Sequence, residues 1–192
     1  MRLLMTVRRV LTLWNEGQIN EEDTRILRAA SIEKPLPFDA EIVEAIRALW
    51  DTFLERDDSV GLAAPQIGIN LRIIAVRTRN FDDKDPSIRR LDSEILVNPR
   101  ITQARGELVA MEEGCLSCPG VRVEINRFDE IKVRAVDDEK GRKINKRYLG
   151  FAARVIQHEI DHLDGKLIVD YEGPVYAPKK YHNFLQTFFD NR

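Results

Sequence analysis

Read for the spacing of its apolar positions, the chain alternates between stretches with helical period and stretches with strand period. Ile42, Ile46, Leu49 and Phe53 fall on one stripe of a run from Glu41 to Leu54, and Asp39 is placed to cap it, which predicts an amphipathic helix ending near Asp57. Phe151-Ala152-Ala153-Arg154-Val155-Ile156 continues with helix formers through His162, and Gly165 stands where such a helix would stop. Leu71 to Thr78 is rich in β-formers, and Ile95 to Asn98 reads as a strand halted by Pro99. Shorter strands are expected at Glu107 to Met111, Val121 to Ile125, Ile131 to Val136 and Ile144 to Tyr148, with a turn at residues 137–141 joining the last two. Leu167 to Asp170 reads as one more strand, and Pro178 to Phe189 as a short C-terminal helix.

Other stretches read differently. The first fifteen residues carry Arg2, Arg8 and Arg9 among Leu, Val and Met. They suggest a leading amphipathic helix, or a fragment of a transit peptide of the kind used for organellar import. Gly17 to Arg25 is polar and acidic, and from Ile26 to Pro37 the chain resembles an extended surface arm. Asn80 to Arg90 reads as a charged mobile loop. The fold class that follows is α+β, with mostly antiparallel sheets surrounding a central helix, an N-terminal helix and a short C-terminal helix. At 192 residues one domain spanning 1–192 is expected, with residues 1–25 a leader of uncertain role.

Composition narrows the setting. With 43% hydrophobic and 32% charged residues and a formal charge of −2, the chain reads as a globular protein with no direct DNA binding. No apolar run approaches the roughly 18 residues of a membrane span. Its two cysteines, Cys115 and Cys118, are too close in sequence to staple a domain, which fits a reducing cytoplasm.

The chemistry is concentrated in His158-Glu159-Ile160-Asp161-His162. Histidines four apart on a helix share a face and can grip one ion, with the intervening glutamate beside whatever that ion binds. A catalytic divalent site needs a third protein ligand and one position open to water. The chain offers His182, Cys118 and Cys115. The last, in Glu113-Gly114-Cys115-Leu116-Ser117, follows a glycine at the end of a strand, where backbone amides are free. Three architectures compete: a two-histidine, one-cysteine hydrolase centre; a closed zinc site using both cysteines and both histidines; and a peptidase with His182 as third ligand. The spacing between the pairs is far longer than the ~12–15 residues of a zinc finger, and a closed site has no use for Glu159.

Three blocks, Gly61-Leu62-Ala63-Ala64-Pro65-Gln66, Glu113-Gly114-Cys115-Leu116-Ser117 and Gln157-His158-Glu159-Ile160-Asp161-His162, together resemble the peptide deformylases, over roughly Ile26 to Tyr171. The chain departs from that family at Ser59, where it commonly opens with Gly-x-Gly, and at Cys118, where an aliphatic residue is common. The resemblance implies removal of the formyl group from the N-terminal methionine of nascent polypeptides. It assigns Cys115, His158 and His162 to the metal, which is ferrous iron in the cell, with zinc, nickel or cobalt as substitutes. Glu159 would be the general base, and the Gln66 side chain and Leu116 backbone N–H the oxyanion donors. Val60, Phe151 and Val155 would line the methionine pocket, while Gly61 and Gly114 would let the substrate lie as an added strand. Asp161 and Glu113 would act behind the ligands. A binding protein that kept this fold and lost catalysis is the further alternative. The charged Arg142 to Arg147 segment is read as a solvated strand face, with ribosomal RNA docking as the other reading.

Overall fold

The computed structural model describes residues 6–138 and 141–190. The chain opens with a short ribbon, β1 (Trp14–Asn15) and β2 (Gln18–Ile19), followed by α1 (Glu21–Leu27) and α2 (Ala40–Glu55). Then come β3 (Gly61–Ala63), β4 (Ile73–Arg77), α3 (Pro86–Leu91), β5 (Ser93–Gly114), β6 (Arg122–Asp137) and β7 (Lys143–Leu149). Helix α4 (Gly150–Leu163), β8 (Val175–Tyr176) and α5 (His182–Asp190) complete it. The larger sheet runs β3-β4-β5-β6-β7, every neighbour antiparallel, with β8 pairing along β6. This is the α+β architecture with antiparallel strands around a central helix.

Layering follows from the patterning. Helix α2 is capped by the Asp39 carboxylate, which accepts from the Ile42 N–H, and it buries Ile42, Leu49 and Phe53 against Leu62, Ile73, Ala75 and Ile95. On the opposite side, Ala153, Val155, Ile156, Ile160 and Leu163 of α4 pack on Ile74, Val76, Leu96, Ile131 and Val133. Strand β4 alternates its side chains between these two clusters, as a period of two requires. The metal-motif helix is thus held along nearly its whole length by the sheet.

Several local expectations are corrected. Residues 6–13 form no helix; they run without regular structure and are tied down by long-range bonds, Leu11 N–H to the Gln66 carbonyl (2.7 Å) and Leu13 N–H to the Ser117 carbonyl (2.9 Å). The acidic stretch after Gly17 is helical as α1, capped by Asn20, and its Asp23 is buried in a pair with Arg9 at 2.7 Å. The leader and α1 are therefore part of the body, and α1 replaces the front of the expected arm. The charged segment before β5 contains α3, opened by Asp85 and Pro86. Pro99 does not halt its strand: β5 continues through it, with register irregularities between Val97 and Arg100 and Asn98 at φ +51°. The two strands expected over 121–136 are one, β6. Leu167 to Asp170 is no strand, because the Asp170 carboxylate turns back to accept from the Leu167 N–H at 2.7 Å and fixes a 3-10 turn over Ile168–Asp170. The turn expected at 137–141 lies partly outside the described residues, as does the start of the leader with Arg2.

Candidate metal centre

His158 and His162 project from the same face of α4, with ring centroids 5.0 Å apart. Cys115, the first residue beyond β5, meets them: its Sγ lies 3.2 Å from His162 Nε2, and the nearest ligand atoms of Cys115, His158 and His162 all lie within 4.8 Å of one another. Among the described residues this is the one group of three or more such side chains that converge in this way. Cys118 and His182 stand outside it. His182 is exposed on α5 with its Nε2 against the Ala177 carbonyl, and Cys118, though among the residues lining the adjoining cavity, is buried in an apolar cluster. The donor set, one sulfur and two imidazoles, suits a divalent transition metal and leaves a coordination position over. An unpartnered buried nitrogen, His162 Nδ1, adds to the polar character of the cluster.

Behind the ligands lies a buried ion-pair network. Glu113, near the end of β5, accepts from His158 Nδ1 (2.9 Å) through one oxygen, which orients that ring and leaves Nε2 for the metal. The same carboxylate accepts from Arg127 Nε (2.6 Å) and Arg154 Nη1 (2.6 Å). Arg127 also reaches Asp161 Oδ2 (2.8 Å), which accepts from the Tyr171 hydroxyl (2.7 Å). Burial by itself pushes the Glu113 carboxyl up, but His158 and Arg127 outweigh it and hold it at about 2. Arg127, Arg154 and Tyr171 were not singled out in the sequence. A signal existed: Arg127 shares the inward parity of Val123 and Ile125 on β6, and Arg154 lies one turn before His158.

This network carries a stability prediction. Glu113→Gln leaves two buried guanidiniums short of a countercharge, so unfolding stability should drop by about 3–5 kcal/mol and metal affinity by roughly 10–100-fold. In the native protein the same depressed carboxyl predicts stability that is complete above the ordinary glutamate value, 4.5, and is lost as pH falls through about 2. Denaturant titrations of both proteins from neutral to acid pH check the two statements.

Cys115 is partly exposed, and its thiol is held well below the ordinary cysteine value, first by the Cys118 thiol donating to it and then by the two imidazoles, against the pull of burial. Cys118 moves the other way, raised by burial and by its bond to Cys115. Glu159 is buried beside the histidines, with Oε2 lacking any hydrogen-bond partner. Burial raises its carboxyl to about 7, although both imidazoles pull it down.

The ligands open onto a cavity of about 770 Å³. Val60, Phe151, Val155, Gly114, Leu116 and Gln66 are among the residues that line it. The Gln66 amide is oriented: its oxygen accepts from the Ala63 N–H (2.9 Å), so its nitrogen points to Ser117 Oγ (3.2 Å) and toward Cys115 Sγ (3.8 Å). The Leu116 N–H has no acceptor among the described residues. Gly61 sits on β3, which among the described residues pairs only with β4, so no strand occupies its second edge and one could be added there. Ser59, at the family departure, donates its hydroxyl to the Gly61 carbonyl at 2.6 Å and so braces that loop.

Gly61 has a second task. A Cβ there would overlap Glu159 Oε1 and come within 2.8 Å of Val155 Cγ1. Gly61→Ala should therefore displace the carboxylate and lower kcat by about 10², with metal content unchanged. Steady-state kinetics beside metal analysis tests this, and a fall in metal content would contradict it.

Comparison with known proteins agrees with this geometry. The polypeptide deformylase family profile matches residues 18–176. A peptide deformylase from Picosynechococcus is 42% identical over 134 residues, covering 68% of each chain. Among solved structures, the chain superposes with TM-score 0.68 and 32% identity on a peptide deformylase from Synechococcus elongatus in complex with actinonin, covering 94% of this chain and 85% of that one. A class I type b peptide deformylase from Acinetobacter baumannii, bound to Met-Ala-Ser, matches with TM-score 0.68 and 32% identity over 87% of this chain and 99% of that one.

Proposed function

The chain belongs to the polypeptide deformylase family, and from that premise we propose how its own residues perform deformylation within a single domain. The enzyme is a metal-dependent hydrolase that removes the formyl group from N-formyl-methionyl peptides and releases formate. One observation carries the assignment of its residues: Cys115, His158 and His162 converge beside a buried Glu159 whose Oε2 has no hydrogen-bond partner among the described residues, next to an open cavity.

Cys115, His158 and His162 hold the ion, ferrous iron in the cell, with zinc, nickel and cobalt as substitutes. When bound, a divalent cation here supplies Lewis acidity, which makes water acidic enough to attack at neutral pH. Glu159, poised near neutrality, takes the proton from the attacking water and returns it to the amine nitrogen as the C–N bond breaks. The Gln66 Nε2 and the Leu116 N–H donate to the oxygen that gains negative charge; Ala63 and Ser117 hold the Gln66 amide in place, and its hydrogen on the Cys115 side turns to that oxygen. Val60, Phe151 and Val155 take the methionine side chain and exclude water from it. The free edge of β3 at Gly61, with Gly114 opposite, pairs with the peptide backbone, which is common to all sequences and so admits varied nascent chains.

We place the reaction in the cytoplasm, on nascent chains at or near the ribosome. In the Arg142 to Arg147 segment Lys146 pairs with Glu94 at 2.9 Å and Arg147 with Glu130 at 2.6 Å, so these cations are partly neutralised within the sheet. Contact with ribosomal RNA through this face would weaken as salt rises, and salt-independent affinity would exclude it. The function itself is tested by formate release from formyl-Met-Ala-Ser with fully metal-loaded protein. Turnover is expected, with none of acetyl-Met-Ala-Ser, and failure to release formate would leave only a binding protein.

A further inference from the structure

Cys118 is the reactive side chain of the site loop that deformylation does not use. Residues Cys115 to Cys118 form a turn closed by the Cys118 N–H on the Cys115 carbonyl at 3.0 Å. Such a turn holds its first and last Cα atoms within about 7 Å, and disulfides span Cα separations of about 4.4–6.8 Å. The side chains also share one neighbourhood, since Cys115 packs against the apolar cluster that holds Cys118 and both line the same cavity. Their exposures differ. Both line the substrate cavity, but Cys115 is partly exposed there, whereas Cys118 is buried in the cluster with Val121, Val123 and Leu167. A small oxidant entering by the substrate route thus meets Cys115 first, with a second thiol at the other end of the same turn.

We propose that Cys115 and Cys118 form a reversible disulfide on exposure to hydrogen peroxide, which dismantles the metal site while sparing the ligand sulfur from terminal oxidation. The proposal rests on the reading of Cys115 as a metal ligand. In the first step the Cys115 sulfur attacks one peroxide oxygen; an S–O bond forms, the O–O bond breaks, and the leaving hydroxide is protonated to water. The sulfur is oxidised by two electrons to a sulfenic acid and the peroxide is reduced. The Cys118 sulfur then attacks the Cys115 sulfur; the S–S bond forms, the S–O bond breaks, and the departing oxygen takes the Cys118 proton to leave as a second water. Two thiols and one peroxide give one disulfide and two waters. A disulfide sulfur is not a thiolate and no longer serves as a ligand, so the ion is released. Without a thiol behind it, the sulfenic acid has no protein partner and proceeds to the irreversible sulfinic and sulfonic acids.

The test uses zinc-loaded wild-type protein and Cys118→Val, which keeps all three ligands. Both are exposed to hydrogen peroxide, then alkylated, and read by peptide mass, zinc release to a chromogenic chelator, and recovery with dithiothreitol plus zinc. Wild type should lose the mass of two hydrogens across a linked 115–118 peptide, resist alkylation, release zinc, and regain zinc and activity on reduction. Cys118→Val should gain two or three oxygens at Cys115 and recover neither. Terminal oxidation of Cys115 without a disulfide in the wild type would overturn the proposal, and this readout does not depend on the variant folding. Disulfide formation with zinc retained would instead overturn the assignment of Cys115 as a ligand, and with it the release step. A metal-free arm, scored by mass alone, separates these failures.

Discussion

Cys115→Ser is expected to abolish metal binding and formate release together. A serine hydroxyl keeps the size of the thiol but not its anionic sulfur, and the site is then left with two neutral imidazoles. The loss should exceed the roughly 10–100-fold that removal of a partner behind a ligand costs. Metal analysis after dialysis checks the first part and formate release the second, with circular dichroism reporting that the fold is intact. The same substitution separates this centre from a peptidase built on His182, in which Cys115 would be dispensable. The geometry already places His182 against the Ala177 carbonyl and outside the converging group.

Glu159→Gln should have the opposite signature, with metal retained and turnover lowered by about 10²–10⁴. Glutamine is nearly isosteric, so the close contact with Gly61 survives and only proton transfer is lost. The wild type should show activity rising with pH as Glu159 loses its proton. Its carboxyl is raised to about 7 by burial and pulled back by the imidazoles, and a bound cation acts in the same direction as they do, so the midpoint falls at or below about 7. The variant should lack this acid limb. A kcat profile against pH for both proteins measures it, and an unchanged limb in Glu159→Gln would assign the titration to another group.

What was legible in the sequence is what is encoded locally. The Ile42, Leu49 and Phe53 stripe with its Asp39 cap, and the His158/His162 pair on α4, depend on a helical period that a few residues define. The third ligand was not local, since Cys115 lies 47 positions from His162, and only the three blocks taken together pointed to it. The leader was misjudged because its order comes from distant partners: Leu11 and Leu13 donate to the carbonyls of Gln66 and Ser117, and the Trp14 indole to that of Pro119 at 3.1 Å. Those bonds brace the two loops that bear the oxyanion donors, so a stretch without a recognisable pattern helps to set the site. Leu167 to Asp170 failed for a different reason, a side-chain bond from Asp170 that competes with strand pairing. Arg127 and Arg154 were passed over because charged residues are ordinarily exposed, and their burial is offset by partners remote in sequence, the acids Glu113 and Asp161, the Tyr171 hydroxyl and the Val109 and Ile125 carbonyls.

The central claim is a mixed sulfur and nitrogen set with one place left for water, and X-ray absorption at the metal edge of the loaded enzyme tests it most directly. The account predicts one sulfur, two imidazole nitrogens and at least one water oxygen. A second sulfur from Cys118, or a shell with no sulfur at all, would contradict it.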